Sequence, residues 1–173
     1  LSRFTGQKMT WPVLGLLWLG LPVLALLVLR MGEGGMAAVS WLFLSVWSCD
    51  TGAYFAGRGI GGPKLATRIS PNKTWAGLLG GMAAAGVVSV LLALYLSWDN
   101  MVLFAVLGAV LAAISQCGDL AESWVNRTFD VKDSGTIIPG HGGILDRVDG
   151  VLFAAPVVAL MSMLPGLGLL PWQ

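Results

Sequence analysis

Long apolar runs alternate with short polar segments along the whole chain. The first run, residues 11–29, contains nineteen residues without a charge, enough at about 1.5 Å per residue to cross a hydrocarbon layer of roughly 30 Å. Residues 75–96, 101–117 and 151–170 form further runs, and residues 36–49 form a shorter one. Five membrane-spanning helices are therefore predicted, the second being either short or extended by the polar residues after it.

Proline and glycine positions refine this pattern. Pro22 predicts a kink in the first helix, and Pro156 and Pro165 predict breaks in the fifth. The third run contains glycines and alanines that allow a neighbouring helix to approach closely, at residues 77, 80, 81 and 83–86. The predicted fold class is an all-α polytopic membrane protein with two charged cytoplasmic loops, and residues 1–173 form a single membrane domain.

Composition supports an integral membrane protein. Hydrophobic residues make up 56% of the chain and charged residues only 11%, a balance that a water-soluble domain would not need. The net charge of +1 gives no reason to expect a nucleic-acid partner. Cys49 and Cys117 stand at the ends of apolar runs without metal-ligand spacing, so two reduced, buried thiols are predicted. The opening at Leu1, soon followed by Arg3 and Lys8, indicates the C-terminal part of a longer protein.

Two polar segments, residues 50–74 and 118–149, carry most of the charge. Glycines and Pro63 argue against a regular helix through the middle of the first segment, which is predicted to be a long loop. These segments and the N-terminus hold nine of the ten lysines and arginines. The positive-inside rule then places the N-terminus in the cytoplasm, the C-terminus outside, and both segments on the cytoplasmic face.

A polar helix face is predicted at the end of the fourth run. Asp119, Glu122, Ser123 and Asn126 are spaced i, i+3, i+4 and i+7, so they share one face if the helix continues past Gly118. Asp119 follows a long apolar run, where an unpaired carboxylate costs a few kcal/mol, and a functional role is favoured. For Glu122, a solvated turn beyond the membrane is an equal alternative.

A second carboxylate pair precedes the fifth run. Asp146 and Asp149 flank Arg147, which is either an interfacial anchor or a substrate contact. Carboxylate oxygens without cysteine or histidine partners suit Mg²⁺, which typically takes one or two carboxylates and completes its coordination with water and phosphate oxygens. The two carboxylate groups together predict a Mg²⁺ and polyphosphate site.

Cations and glycines nearby fit phosphate. Lys73, Arg127 and Lys132 would neutralise phosphate charge, and residues 139–143, PGHGG, allow backbone N–H groups to hold an anion. His141 is either a loop residue or a substrate contact. Thr74 is a candidate helix cap, which would bring Lys73 to a helix N-terminus where anions bind well. The sequence lacks a Walker loop and a GxGxxG motif, so no soluble nucleotide-binding fold is expected.

These segments resemble the phosphatidate cytidylyltransferases, also called CDP-diacylglycerol synthases. The similarity rests on SWVNR at residues 123–127, KDSG at 132–135, PGHGGILDRVD at 139–149, DTGAYFAGR at 50–58 and SPNKTW at 70–75. It implies a polytopic enzyme that joins CTP to phosphatidic acid, releases pyrophosphate and depends on Mg²⁺. The sequence departs from the family pattern at Asn126, usually lysine, and at Ala76, usually glutamate.

The resemblance also implies roles for individual residues. Asp119 and Asp146 match metal-binding aspartates, with a second cation of unknown identity. The expected catalytic residues are Asp119, Asp146, Lys73, Lys132 and Asp133. The expected substrate-binding residues are Ser70, Asn72, Glu122, Ser123, Arg127, His141, Arg147 and Asp149. The substrates would be CTP and phosphatidic acid, the setting a bacterial inner membrane, and a homodimer is one possible assembly.

Other functions remain open from the residues alone. A CTP-dependent lipid kinase would use the same cations and carboxylates but release CDP. An ion-coupled transporter would also place carboxylates in a membrane protein, although here they cluster at one face. The DGxxAR run of CDP-alcohol phosphotransferases is absent from the sequence. An inactive fragment that keeps the fold is the last alternative.

Overall fold

The computed structural model describes residues 10–129 and 148–163. In this part of the chain, five helices and one hairpin follow each other in the order α1 (Thr10–Met31), α2 (Gly35–Gly59), β1 (Lys64–Ala66), β2 (Ser70–Thr74), α3 (Trp75–Tyr95), α4 (Met101–Thr128) and α5 (Asp149–Ser162). The predicted runs 11–29, 36–49 and 101–117 lie within α1, α2 and α4. The run 75–96 extends one residue beyond α3, and of the run 151–170 residues 151–162 lie in α5, while residues 164–170 lie outside the described residues. Helices α1, α3 and α4 are long and apolar enough to cross a membrane, and α5 is a shorter apolar helix. The predicted all-α polytopic class is confirmed.

The predicted loop at residues 50–74 is wrong in its first part. Helix α2 continues through the polar residues after Cys49 and ends at Gly59, and residues 64–74 form a two-stranded antiparallel hairpin. Gly52 lies inside the helix and faces α3, where a Cβ would lie 2.5 Å from the Ala84 Cβ. Gly52 therefore serves packing, as does Gly57, where a Cβ would lie 3.5 Å from the Gly77 Cα. The predicted absence of helix around Pro63 is correct.

Two other expectations need correction. Pro156 lies inside α5, which continues through it, so the predicted break is wrong at this residue. Pro22 lies inside α1, and its predicted kink stays a prediction. A helix in an apolar environment has no water to satisfy its backbone, so continuing past a proline is less costly than unwinding. Pro165 lies outside the described residues. Both cysteines are free, but only Cys49 is buried, whereas Cys117 is exposed.

Helices α2 and α3 pack through small residues. A Cβ on Gly80 would overlap the Ala56 Cβ, and a Cβ on Gly81 would lie 2.9 Å from the Cys49 carbonyl oxygen. The contact continues deeper with polar atoms, since Trp41 Nε1 donates to Ser89 Oγ at 2.9 Å. The close approach that the glycines of the third run predict is confirmed, and it fixes the position of α2 relative to α3.

Replacing Gly80 with leucine is therefore expected to destabilise the protein by about 1–3 kcal/mol, the usual cost of overpacking. The new side chain would force α2 away from α3, because the neighbouring atoms are backbone and Ala56 Cβ. The midpoint of thermal unfolding in detergent measures this effect. Gly20→Leu is the matched control, since a Cβ on Gly20 meets nothing within 4 Å. Equal midpoints for the two variants would contradict the packing interpretation.

One end of the helix bundle collects the polar segments. The Trp11 ring, at the start of α1, contacts the Phe129 ring after the end of α4, with centroids 4.8 Å apart. Arg127 on α4 donates to the Ile69 carbonyl of the hairpin. We call this end, formed by the hairpin, the polar part of α2, the end of α4 and the start of α5, the polar end. The predicted co-location of the two charged segments is confirmed for their described residues.

Candidate functional site

A cavity of about 460 Å³ opens at the polar end. Four helices and strand β2 contribute to its wall. The residues that line it are Asp50, Ala53, Tyr54, Gly57, Asn72, Lys73, Thr74, Gly77, Leu78, Gln116, Asp119, Glu122, Ser123, Asn126 and Asp149. Four carboxylates, one lysine and several neutral polar groups therefore converge on a single space.

Helix α4 supplies the polar face that its spacing predicts. Because α4 continues to Thr128, Asp119, Glu122, Ser123 and Asn126 all line the cavity. Glu122 is only 6% exposed, so the alternative of a solvated turn is wrong for this residue. A buried carboxylate needs compensating partners, and the polar cavity is where they lie.

Helix α2 supplies residues that the sequence analysis did not select. Asp50, Tyr54 and Gly57 line the cavity because α2 continues beyond the apolar run. Their spacing of i, i+4 and i+7 is a helical signal, but it becomes visible only when residues 50–59 are read as helix. Arg58, one turn after Tyr54, donates to its hydroxyl at 3.2 Å.

Lys73 lies at the centre of the site. It forms an ion pair with Asp119 and donates to Gln116 Oε1 at 3.0 Å. The hairpin places Lys73 one residue before Thr74, whose hydroxyl accepts from the Gly77 N–H at 3.0 Å and caps α3. The predicted cap is confirmed. The ammonium group is thus held beside a helix N-terminus, a position that favours bound anions.

The carboxylates outside the Lys73 pair are costly to ionise together. Asp50 follows the apolar part of α2, and burial, together with the charge of Asp119, raises its pKa to about 6. Asp149 precedes the apolar part of α5, and burial and Asp119 raise its pKa to about 8. The Asp149 carboxyl also hydrogen-bonds Glu122. Such repulsion among carboxylates is relieved by a bound cation or by protonation.

Stability without divalent cations is expected to fall as pH rises from about 4 to 8. Over this range folded Asp149 keeps a proton that the unfolded chain, with an ordinary pKa near 3.8, has released. The folded state binds more protons, so raising the pH costs stability by up to about 1.4 kcal/mol per unit. Thermal midpoints between pH 5 and 8 should show this slope, and Asp149→Asn should flatten it. An unchanged slope in Asp149→Asn would contradict the assignment of this pH dependence to the Asp149 carboxyl. Asp99→Asn is the control, because Asp99 is exposed.

The remaining predicted residues divide into three groups. Asn72 and Asp149 line the cavity. Among the described residues, Ser70 and Arg127 do not line it: Ser70 pairs with Ala66 in the hairpin, and Arg127 bonds the Ile69 carbonyl. Outside the described residues lie Lys132, Asp133, His141, Asp146 and Arg147.

The donor set fits a hard cation without forming a complete site. Within residues 10–129 and 148–163, no group of three or more acidic, histidine or cysteine side chains is arranged to hold a metal. Mg²⁺ needs only one or two carboxylates and takes its other ligands from water and phosphate. Asp119 lines the cavity and is 34% exposed, so it can supply this carboxylate once its partner changes from Lys73 to the cation.

An apolar groove of about 400 Å³ adjoins the cavity. Helix α1 forms one wall and the end of α4 the other, and Glu122 and Asn126 line both the groove and the polar cavity. The other lining residues are Trp11, Leu14, Gly15, Trp18, Leu19, Trp124, Val125 and Phe129. A molecule with a polar head and an apolar tail would find both environments side by side.

Fold and site together define a polytopic α-helical membrane protein with a charged cavity at one end of its helices. Comparison with known sequences makes the class specific: the chain belongs to the cytidylyltransferase family, whose model matches residues 2–164. It is 50% identical over 153 residues to phosphatidate cytidylyltransferases of Brucella suis and Brucella melitensis, covering 88% of this chain and 57% of each relative. A Rickettsia prowazekii phosphatidate cytidylyltransferase is 40% identical over 162 residues, covering 87% of this chain and 71% of the relative. The chain thus spans a little over half the length of the Brucella relatives.

Proposed function

We propose that this chain carries the nucleotide site of a phosphatidate cytidylyltransferase, which transfers a cytidylyl group from CTP to phosphatidic acid. Family membership and the names of the relatives support this substrate pair. The observation that carries the proposal is the Lys73–Asp119 pair inside a cavity rich in carboxylates. A carboxylate that holds a cation and an ammonium that binds phosphate are groups of the kind that stabilise charge in Mg²⁺-assisted transfer from a nucleoside triphosphate.

In the proposed reaction, a phosphate oxygen of the lipid attacks the α-phosphorus of CTP. A new P–O bond forms as the bond between the α-phosphorus and its bridging oxygen breaks, and pyrophosphate leaves in line. The attacking oxygen is already anionic, so no general base is required. Mg²⁺, when bound, neutralises phosphate charge and orients the triphosphate.

The residues of the chain would position the substrates. Lys73, paired with Asp119 in this structure, would bind a phosphate of the substrate, and Asp119 would hold the cation. Ser123, Asn126 and Asn72 offer neutral hydrogen bonds to phosphate or sugar oxygens from the cavity wall. Asp50, also in the wall, is a further candidate carboxylate for a second cation. Lys132, Asp133 and Asp146 keep their proposed roles from the sequence resemblance.

The apolar groove gives the lipid tail a route. An acyl chain of phosphatidic acid lying along the groove between α1 and α4 would leave its phosphate next to Glu122 and Asn126, where groove and cavity meet. Entry from the side, between helices, keeps the tail out of water. The charged segments face the cytoplasm in this proposal, in accordance with the positive-inside rule, and the membrane is a bacterial inner membrane.

Release of pyrophosphate from CTP by the purified chain tests the proposal. The assay compares dioleoyl phosphatidic acid with glycerol 3-phosphate, each with and without Mg²⁺. Pyrophosphate formed only with the lipid, CTP and Mg²⁺ together is the expected result. CDP as the product would favour a lipid kinase instead, and no product from a chain that binds Mg²⁺ and CTP would mean that the activity needs more of the relatives' length.

A further inference from the structure

Gln116 lies beneath the cavity in an apolar part of α4, three residues before Asp119. It is only 5% exposed, which is unusual for a glutamine without a structural or functional partner. Its Oε1 accepts from Lys73 Nζ at 3.0 Å, and its Nε2 donates toward Cys49 Sγ at 3.7 Å. The side chain therefore connects β2 to α2 across α4.

The chemistry of its neighbours determines how the amide is oriented. A lysine ammonium only donates, so the amide oxygen must face Lys73 and the amide nitrogen must face the Cys49 sulfur. The Cys49 thiol in turn donates toward the Ala112 carbonyl oxygen, at 3.7 Å. Three elements thus hold Gln116 in one orientation, with its acceptor directed at the cavity lysine.

Asp119 and Gln116 hold Lys73 in different ways. Asp119 pairs with the full charge of the ammonium, whereas the Gln116 carbonyl is neutral and leaves that charge available to a phosphate. A lysine side chain has a flexible stem of four carbons, and fixing it in one conformation costs up to about 2 kcal/mol of conformational entropy. A second, neutral contact therefore matters most when the ion pair with Asp119 is broken.

We propose that Gln116 is a positioning residue that keeps Lys73 in the cavity when Asp119 gives up its ion pair to a cation. The inference rests on the proposed function for the cation, but the Lys73–Gln116 contact itself does not. The amide acts through Lys73 and does not contact the reacting atoms. Its neutrality is the important property, because a carboxylate in its place would pair with the charge that the phosphate needs.

Competitive acylation with acetic anhydride tests this positioning without any activity. The reagent modifies free amines, and the ratio of labelled Lys73 to labelled Lys64, measured by mass spectrometry on the folded chain in detergent, reports how well Lys73 is held. Lys64 is the internal reference, since it lies exposed in the same hairpin. Asp119→Asn removes the ion pair and reproduces the state in which Gln116 is expected to act alone.

In the Asp119→Asn background, Gln116→Met is expected to raise the labelling ratio about tenfold, in line with the strength of a hydrogen bond to a charged group. Gln116→Glu keeps an acceptor at the same distance and should leave the ratio low, which separates loss of the contact from misfolding. Ser115→Ala, a buried neighbour on α4, is the control and should not change the ratio. An unchanged ratio in Gln116→Met would overturn the inference.

Kinetics then distinguish positioning from a merely structural role. Gln116→Glu should protect Lys73 from acylation yet lower kcat/KM for CTP at least tenfold, because its carboxylate pairs with the ammonium. In the Lys73→Met background the same substitution should have less than a twofold effect. If Gln116→Glu lowers kcat/KM by the same factor with and without Lys73→Met, the proposal is contradicted. A wild-type chain without transferase activity would count against the proposed function, while the acylation ratio would still decide the role of Gln116.

Discussion

Asp119→Asn is expected to lower CTP-dependent pyrophosphate release by about 10²–10³-fold, the usual loss when a charge-stabilising group is removed from an active site. The substitution keeps the size of the side chain but replaces a carboxylate with a neutral amide, a weaker ligand for a hard cation. It also removes the ion pair with Lys73, so the ammonium would lose one of its two partners in the cavity. Steady-state assays in detergent with saturating phosphatidic acid measure the loss.

Asp99→Asn is the matched control for this experiment. Asp99 is exposed in the turn between α3 and α4, at the opposite end of these helices from the cavity, and its substitution should leave the rate unchanged. Raising Mg²⁺ should partly restore Asp119→Asn if the loss is in cation affinity. A folded Asp119→Asn protein that retains more than a third of the wild-type rate would contradict a role for this carboxylate.

Lys73→Met is expected to lower kcat/KM for CTP by about 10²-fold or more. Methionine approximates the length of the lysine side chain but has no charge. The cavity would therefore lose the Lys73 ammonium, which pairs with Asp119 and is proposed to bind a phosphate. Lys73 is only 16% exposed, and a charge in such a partly dry site acts more strongly than one in water. Titration of CTP separates a change in KM from a change in kcat.

Lys64→Met provides the control, because Lys64 is exposed in the partner strand of the same hairpin. Lys73→Arg should retain part of the activity: the charge stays, but the guanidinium is planar and larger than the ammonium between Asp119 and Gln116. If Lys73→Met and Lys64→Met lose activity to the same small extent, the charge at residue 73 is not specific to the reaction.

The sequence was sufficient for most of the fold. Apolar runs of membrane length predict helices, because every backbone N–H and C=O group in the hydrocarbon layer needs a hydrogen-bond partner within its own segment. It failed where one residue type has two uses: Gly52 and Gly57 were interpreted as loop residues, yet they allow α2 to approach α3 while the helix continues. Proline led to a similar error at Pro156, where a break was predicted and α5 continues.

The site was predictable where it follows helical spacing. The face of Asp119, Glu122, Ser123 and Asn126 follows from a period of 3.6 residues and from continuation of α4. Asp50 was missed because it stood in a segment assigned to a loop. Gln116 was missed because one neutral polar residue in an apolar run gives no pattern, and its significance depends on Lys73, 43 residues earlier.

The sequence by itself determined the apolar parts of the helices, the charged end of the bundle and the family to which the motifs point. Only the tertiary structure decided which side chains share the cavity: that Lys73 contacts both Asp119 and Gln116, that Asp50 joins them, and that Ser70 and Arg127 face elsewhere. The physical reason is that apolar length and helical spacing are local properties. Contact between a hairpin and two helices depends on how closely those helices pack, which the glycines of α2 and α3 decide together.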